Sequence, residues 1–121
     1  MNEQSILTAL AVLRTHAFSE EYDIHRQIEQ ALRQADIDYI HECAIAPRCR
    51  IDFLVGRIGL EVKKQRPQKQ TLLRQLKRYA ASDALDAIIV ICPQSISLPE
   101  KILGKSVRMF PLQPLWGVAL P

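Results

Sequence analysis

Long hydrophobic runs are missing from this chain of 121 residues. No stretch reaches the roughly 18 consecutive apolar residues that indicate a transmembrane helix. The N-terminal segment also lacks the basic region followed by an apolar core that is typical of a secretory signal. The sequence therefore predicts a cytoplasmic protein with no membrane partner. Its length predicts a single domain over residues 1–121, with an additional helix in 1–17 and an apolar, proline-containing tail in 111–121.

Cysteine is scarce, and the few cysteines present do not form a disulfide framework. The three residues Cys43, Cys49 and Cys92 are odd in number and contain no C-x-x-C pair, which is typical of a reducing compartment. His41 could join Cys43 and Cys49 around zinc, but their spacing matches no standard zinc site and a fourth ligand is missing. The sequence therefore does not favour a zinc site built from these residues.

Acidic residues are absent between Val62 and Ser82, although seven basic residues occur there. A solvated helix face usually mixes both signs of charge, whereas a block of one positive sign can neutralise phosphate groups. We therefore predict that this block binds nucleic acid, the alternative being a solubilising helix face. Apart from Lys63, the predicted contact residues are Lys64, Arg66, Lys69, Arg74, Lys77 and Arg78.

The segment around Gly56-Arg57 is predicted to form a β-hairpin. Glycine at the first central position of a two-residue loop is typical of a type II′ turn. If Val55 pairs with Ile58, the register places Asp52 opposite Glu61. Because side chains alternate between faces along a strand, the same register predicts one continuous apolar face. Its members are Ile51, Phe53, Val55, Ile58, Leu60 and Val62.

The other face of this hairpin carries Asp52, Glu61 and Lys63. Directly opposed carboxylates destabilise a strand pair, so folding alone gives no reason for them. A hard divalent cation takes oxygen ligands from carboxylates and from substrate phosphate, and a lysine on the same face can position a water molecule. The pattern therefore predicts a metal site, the alternative being an amphipathic hairpin with a solvated charged face.

These residues resemble a known family of enzymes. Asp52 followed by Glu61-Val62-Lys63 is similar to the D…E-x-K core of the PD-(D/E)XK nucleases, which hydrolyse phosphodiester bonds with Mg²⁺. Ile51 stands where many members have a proline. The downstream segment from Gln75 to Tyr79 is similar to the Q-x-x-x-Y motif of the RecB-like and related branches, so the resemblance covers the middle half of the chain.

The resemblance implies a role for each of these residues. Asp52 and Glu61 are expected to hold Mg²⁺, for which Mn²⁺ substitutes, with the Val62 carbonyl as a further ligand. Lys63 is expected to position the attacking water and to stabilise charge that develops on phosphate. The resemblance also places Gln75 and Tyr79 near the active site. For Gln75 the alternative is a structural role, in which its amide caps a buried backbone group.

A glutamate on the N-terminal helix often adds a metal ligand in this family, and Glu21 is our candidate for it. Glu21 shares one helical face with His25, Ile28 and Leu32. The alternative is a structural role, in which the negative charge of Glu21 complements the helix dipole, and this explains the residue almost as well. We expect His25 to fill the edge of the core, the alternative being contact with substrate phosphate. Glu29 lies to the side of this face and is the weaker candidate.

The hydrophobic pattern predicts an α/β fold with a mixed central β-sheet flanked by helices. Helices are predicted over residues 3–16, 20–35 and 70–82, with a short helix near 98–104 and Ser19 as the cap of the second helix. Strands are predicted over 37–45, in the hairpin, over 86–92 and over 106–110. The resemblance implies a restriction-endonuclease-like arrangement, an α-β-β-β-α-β core preceded by an extra N-terminal helix.

The function predicted from these features is Mg²⁺-dependent hydrolysis of DNA. Cutting both strands requires two sites, and the tail around Trp116 offers apolar surface, so we expect a homodimer. The chain has no recognisable base-reading module, and a partner protein is one possible source of specificity. Two alternatives stay open. One is a non-cleaving nucleic-acid-binding or structural protein with the nuclease fold, and the other is an RNA-directed nuclease or a mobile-element accessory factor.

Overall fold

The computed structural model describes residues 2–13 and 21–112, although not the side chains of Glu21 and Tyr22. The helices in this part of the chain are α1 (Glu3–Leu10), α2 (Glu21–Gln34) and α3 (Lys69–Ala80). The strands are β1 (Ile40–Ala46), β2 (Cys49–Val55), β3 (Ile58–Val62), β4 (Ala87–Cys92), β5 (Lys101–Ile102) and β6 (Lys105–Pro111). Within these ranges no helix combines the length and apolar character needed to cross a bilayer.

A single six-stranded sheet organises the fold, with the strand order β1-β2-β3-β4-β6-β5. The pairs β1–β2, β2–β3 and β5–β6 are antiparallel, whereas β3–β4 and β4–β6 are parallel. The prediction of a mixed central sheet is therefore confirmed. Strand β4 is buried along its whole length, as expected for a parallel strand that is covered on both faces.

Helices cover both faces of the sheet. On one face, α1 and α2 pack their apolar stripes on β2 and β3, with Leu10 and Ile28 in one cluster with Leu60. On the other face, α3 contributes Leu76 to a second cluster that contains Ile88 of β4. The three layers place the middle of β2 and the end of β3 between α2 and α3. Asp52 and Glu61 of the hairpin lie there.

The hairpin turn has the geometry that the sequence predicts. Val55 pairs with Ile58, and Gly56 adopts a φ of +59°. Arg57 is not among the described residues with positive φ, which agrees with a type II′ turn, where only the first central residue needs that conformation. The register predicted for this end of the hairpin is confirmed.

The predicted apolar face of the hairpin is wrong at Ile51. Phe53 packs on the side of α1 and α2, whereas Ile51 packs on the side of α3. The neighbouring strand β1 reverses at the same level, because His41 stacks on Phe53 and Cys43 packs with the α3 cluster. Between those two residues, Glu42 has a φ of +54°, which breaks the alternation of a regular strand.

The predicted short helix near residues 98–104 is also wrong. Strand β5 occupies part of this segment and turns back into β6 through Leu103 and Gly104. Both turn residues have positive φ, +51° and +78°, as a two-residue type I′ hairpin loop requires. The predicted strand at 106–110 is confirmed as β6. Pairing with β6 gives the backbone of β5 hydrogen-bond partners on a neighbouring strand, which a short helix would not provide.

Helix α1 ends at Leu10, earlier than the predicted boundary at residue 16. Asn2 caps its start, since its side-chain oxygen accepts a hydrogen bond of 2.9 Å from the Ser5 backbone. The predicted Ser19 cap and the part of the apolar tail from residue 113 onward lie outside the described residues.

Candidate active site

Glu61 is the centre of the charged cluster at the end of β3. Only 4 % of the residue is exposed. Its Oε1 accepts a hydrogen bond of 2.9 Å from the Tyr79 hydroxyl, and its Oε2 lies 2.9 Å from the Lys63 ammonium nitrogen. A buried carboxylate is tolerated where hydrogen bonds and an opposite charge satisfy it, and Glu61 has both.

Asp52 reaches the same region from β2. The pairing of β2 with β3 extends from the turn to Phe53 and Leu60. Beyond that point the Asp52 Oδ2 accepts a hydrogen bond of 2.7 Å from the Val62 backbone N–H. The carboxylate therefore replaces a backbone acceptor where the strands separate. The predicted pairing of Asp52 directly opposite Glu61 is not among the pairs of β2 with β3; Asp52 instead contacts β3 through the backbone N–H of Val62.

The two carboxylates are close enough to perturb each other. Burial, and secondly the negative charge of Asp52, raise the pKa of Glu61 to about 7. The Lys63 ammonium group and the hydrogen bonds from Lys63 and Tyr79 act in the opposite direction but do not cancel the rise. A glutamate in this state would gain from a nearby cation that stabilises its ionised form.

Helix α3 supplies the residues that hold Glu61 in place. Gln75 donates a hydrogen bond of 2.9 Å to the Tyr79 hydroxyl, one helical turn away. The same hydroxyl lies 3.3 Å from the Arg50 carbonyl oxygen. Burial, followed by the charge of Glu61, raises the pKa of Tyr79 well above its ordinary value, so the hydroxyl stays protonated and donates. The partner of the Gln75 amide is thus a side-chain hydroxyl, and not a backbone group.

A basic groove of about 810 Å³ opens beside Lys63 along α3. The predicted nucleic-acid-binding residues Arg74, Lys77 and Arg78 line it together with Gln75. These three cations form no ion pair with any other described residue, so their charge is available to phosphate groups. The other predicted contacts, Lys64, Arg66 and Lys69, do not line this groove.

The α2 face predicted for Glu21 does approach the site, through a different residue. The side chain of Glu21 itself lies outside the described residues. One turn further along the helix, His25 is buried and its Nε2 lies 3.8 Å from Asp52 Oδ2. Ile28 and Leu32 continue the same buried face. His25 is buried and packs against Phe53, as expected for a residue at the edge of the core, and it also lies beside the Asp52 carboxylate.

His25 also meets a residue that the sequence pattern did not connect with it. Its Nδ1 lies 2.8 Å from His41 Nε2, although the two residues are 16 positions apart and belong to α2 and β1. Cys43 and Cys49 pack with the α3 cluster on the other face of the sheet, so the disfavoured zinc site of His41 with these cysteines does not form. No local motif marks the histidine pair, because only the packing of α2 on the sheet creates it.

Comparison of the chain with protein-family models, with curated proteins and with solved structures found no match.

Proposed function

We propose that this protein is a Mg²⁺-dependent nuclease that hydrolyses phosphodiester bonds in DNA. The observation that carries the proposal is the cluster of Asp52, Glu61 and Lys63 between α2 and α3. Within it, Glu61 is buried and lies 2.9 Å from Lys63, and its pKa is raised by burial and secondly by the charge of Asp52. The basic groove that begins at Lys63 would bind the phosphate backbone.

The donor set suits a hard divalent cation. Asp52 and Glu61 offer carboxylate oxygens, which Mg²⁺ and Mn²⁺ prefer. A cation would stabilise the ionised form of Glu61, which burial and secondly the charge of Asp52 disfavour. In the proposal, these two residues hold the metal, with the Val62 carbonyl as a further ligand by the resemblance. Bound Mg²⁺ would supply Lewis-acid activation of the phosphate and a lowered pKa for water.

The protein's own residues would perform three further tasks. Lys63 would position the attacking water and stabilise the negative charge that develops on phosphate. Tyr79, held by Gln75, would fix the orientation of Glu61 through its hydroxyl. Arg74, Lys77 and Arg78 would bind the backbone and set its register relative to Lys63.

Lys63→Ala should abolish cleavage while leaving nucleic-acid binding largely intact, because the lysine acts mainly on the water molecule. The measurement is cleavage of single-stranded, duplex, branched and RNA substrates in Mg²⁺ or Mn²⁺, with binding followed separately. Lys101→Ala is the matched control, since it removes an exposed lysine of β5. Full cleavage by the Lys63→Ala protein, or cleavage in excess chelator, would contradict the proposal.

A second candidate function is nucleic-acid binding without cleavage. The basic groove favours it directly, because phosphate binding requires only the cations of α3. The two functions separate in one experiment. Under either function, Arg74→Ala/Lys77→Ala should weaken nucleic-acid binding. A protein that only binds, however, cuts none of the substrates with either metal. The RNA substrate in the same panel distinguishes an RNA-directed enzyme from one that acts on DNA.

A further inference from the structure

Two histidines and a glutamate meet beside the candidate active site. His25 Nδ1 lies 2.8 Å from His41 Nε2, and that nitrogen of His41 lies 3.7 Å from Glu42 Oε1. One donor atom from each of the three residues falls within 4.8 Å of the other two. Two imidazoles and one carboxylate suit Zn²⁺ and related transition metal ions, whereas Mg²⁺ prefers oxygen ligands alone.

Each imidazole also has a carboxylate behind it. His25 Nε2 lies 3.8 Å from Asp52 Oδ2, and His41 Nδ1 lies 3.9 Å from Glu29 Oε1. Glu29 is in turn held by a hydrogen bond of 2.7 Å from the Tyr39 hydroxyl. Histidines that bind metal usually direct the second ring nitrogen to such a group, which fixes the tautomer and strengthens the ligand. Both histidines here have a carboxylate on that side of the ring, at 3.8 Å and 3.9 Å, which is longer than a hydrogen bond.

Only small movements separate this arrangement from a coordination site. Tetrahedral zinc with Zn–N bonds of about 2.0–2.1 Å places two nitrogen ligands about 3.3 Å apart, so the two rings would separate by about 0.5 Å from their present 2.8 Å. His41 is partly exposed and Glu42 is exposed, so both can adjust and an ion can enter from solvent. Glu42 also keeps the costly left-handed conformation that brings it here.

We infer that His25, His41 and Glu42 form a binding site for a divalent transition metal ion of the Zn²⁺ class, separate from the Asp52–Glu61 pair. Three protein ligands leave a position for water, as in zinc sites that are not purely structural. The ion would join α2 to β1 and would fix the His25 ring against Asp52. The inference does not depend on nuclease activity, because it rests on the donor set alone.

The test is a Zn²⁺ titration of the full chain that has first been treated with chelator. Calorimetry in excess Mg²⁺ measures the binding. We expect one equivalent of Zn²⁺ to bind and to raise the melting temperature. Loss of a carboxylate that supports a metal-binding histidine without contacting the metal, here called an outer partner, typically costs roughly 10–100-fold in metal affinity. Glu29→Gln should therefore weaken binding by about 10-fold. His41→Gln and Glu42→Gln, which remove ligands, should each weaken it by more than about 100-fold.

Three further variants exclude other locations for the ion. Glu100→Gln removes an exposed carboxylate outside the cluster and should bind Zn²⁺ as the wild type does. The double variant Cys43→Ser/Cys49→Ser should also bind normally, since these thiols lie on the other face of the sheet. Asp52→Asn should lose no more than the roughly 10–100-fold expected for an outer partner.

Several results would overturn the inference. One is the absence of Zn²⁺ binding by the wild type, and another is unchanged binding in both His41→Gln and Glu42→Gln. Binding that is lost in Asp52→Asn but kept in His41→Gln would place the zinc on the carboxylate pair instead. That last result would reject this site while leaving the proposed nuclease site intact. Because His41 and Glu42 are not buried, circular dichroism should show that their variants fold.

Discussion

The protonation of Glu61 is the most informative property of a single residue in this protein. Burial and secondly the charge of Asp52 raise the pKa of this carboxyl from its ordinary value of 4.5 to about 7. Between these values the folded state binds more protons than the unfolded state, so stability decreases as the pH rises through that window. Above about pH 7 the carboxyl is ionised in the folded state and this stability is lost, so a bound cation should stabilise the fold most at neutral and higher pH.

We expect the free energy of unfolding of the metal-free protein to fall between about pH 5 and pH 7 by an amount on the order of 1–3 kcal/mol. Glu61→Gln should remove most of this slope, because its amide does not titrate. Urea denaturation at several pH values measures both proteins, and the difference between them isolates Glu61 from other titrating groups. Equal slopes for the two proteins would show that Glu61 is not the group responsible.

Metal binding should offset the loss of folding stability that the carboxylate pair causes. At about pH 8 and without metal, Glu61→Gln should be as stable as the wild type or more stable by up to about 1 kcal/mol. Mg²⁺ should raise the melting temperature of the wild type by mass action and should raise that of Asp52→Asn or Glu61→Gln much less. Thermal melts with and without Mg²⁺ test this, with Glu100→Gln as the control. An equal response to Mg²⁺ in all four proteins would remove the paired-carboxylate site.

At the scale of elements, α3 combines a packing face with a site-forming face. Leu76 belongs to the core cluster beneath the helix, while Tyr79 and Gln75 form the hydrogen-bonded chain to Glu61. The helix therefore fixes the orientation of the carboxylate through the same packing that stabilises the fold. A change at Tyr79 can be made small enough to separate these two contributions.

Tyr79→Phe should shift the pH dependence of cleavage to higher pH. The hydroxyl hydrogen bond lowers the pKa of Glu61, so its loss should raise that pKa. The ionised carboxylate, which is the form that would bind the proposed metal, should then form only at higher pH. The measurement is the pH–rate profile of the wild type and of Tyr79→Phe in the same Mg²⁺ concentration. Tyr39→Phe is a matched control, because that hydroxyl donates to Glu29 instead. A profile that keeps its midpoint would exclude a role of Tyr79 through Glu61.

Strand β3 has no room for a side chain at Gly59. A Cβ atom built there would overlap Ile51 Cδ1 and would lie 3.2 Å from a methyl group of Leu85, and both neighbours are fully buried. Gly59→Ala should therefore destabilise the fold by about 1–3 kcal/mol through overpacking. Chemical denaturation measures the loss, and Gly59→Ala/Ile51→Val, which shortens the facing side chain, should recover part of it. A neutral Gly59→Ala would mean that this part of the core adjusts freely.

The elements that the sequence predicts well are those with a local cause. Gly56-Arg57 specifies its turn, and the apolar run of β4 indicates a strand buried on both faces. Strand β5 is different, because its two residues become a strand only by pairing with β6. The site follows the same division. Asp52, Glu61 and Lys63 could be grouped from hairpin spacing, whereas the approach of His25 to His41 depends on how α2 packs, which no spacing in the sequence encodes.

For the whole molecule, we predict a homodimer. The sequence basis is the apolar tail around Trp116 together with the need for two sites to cut two strands. Light scattering at micromolar concentration should give twice the mass of one chain, and removal of the residues after Pro111 should return it to that of one chain. A single-chain mass for the intact protein, unchanged by this truncation, would remove the argument.

Strand β1 forms one border of the sheet, and its outer backbone groups could attract a strand from another molecule. Ile40 at its start is 56 % exposed, which would increase that risk. The left-handed backbone at Glu42 interrupts the border after two residues, and Glu42 places a charge at the interruption. A continuous row of donors and acceptors is therefore not available. Substituting Glu42 by a β-branched residue would be expected to make the protein more prone to aggregation through this border, apart from any effect on metal binding.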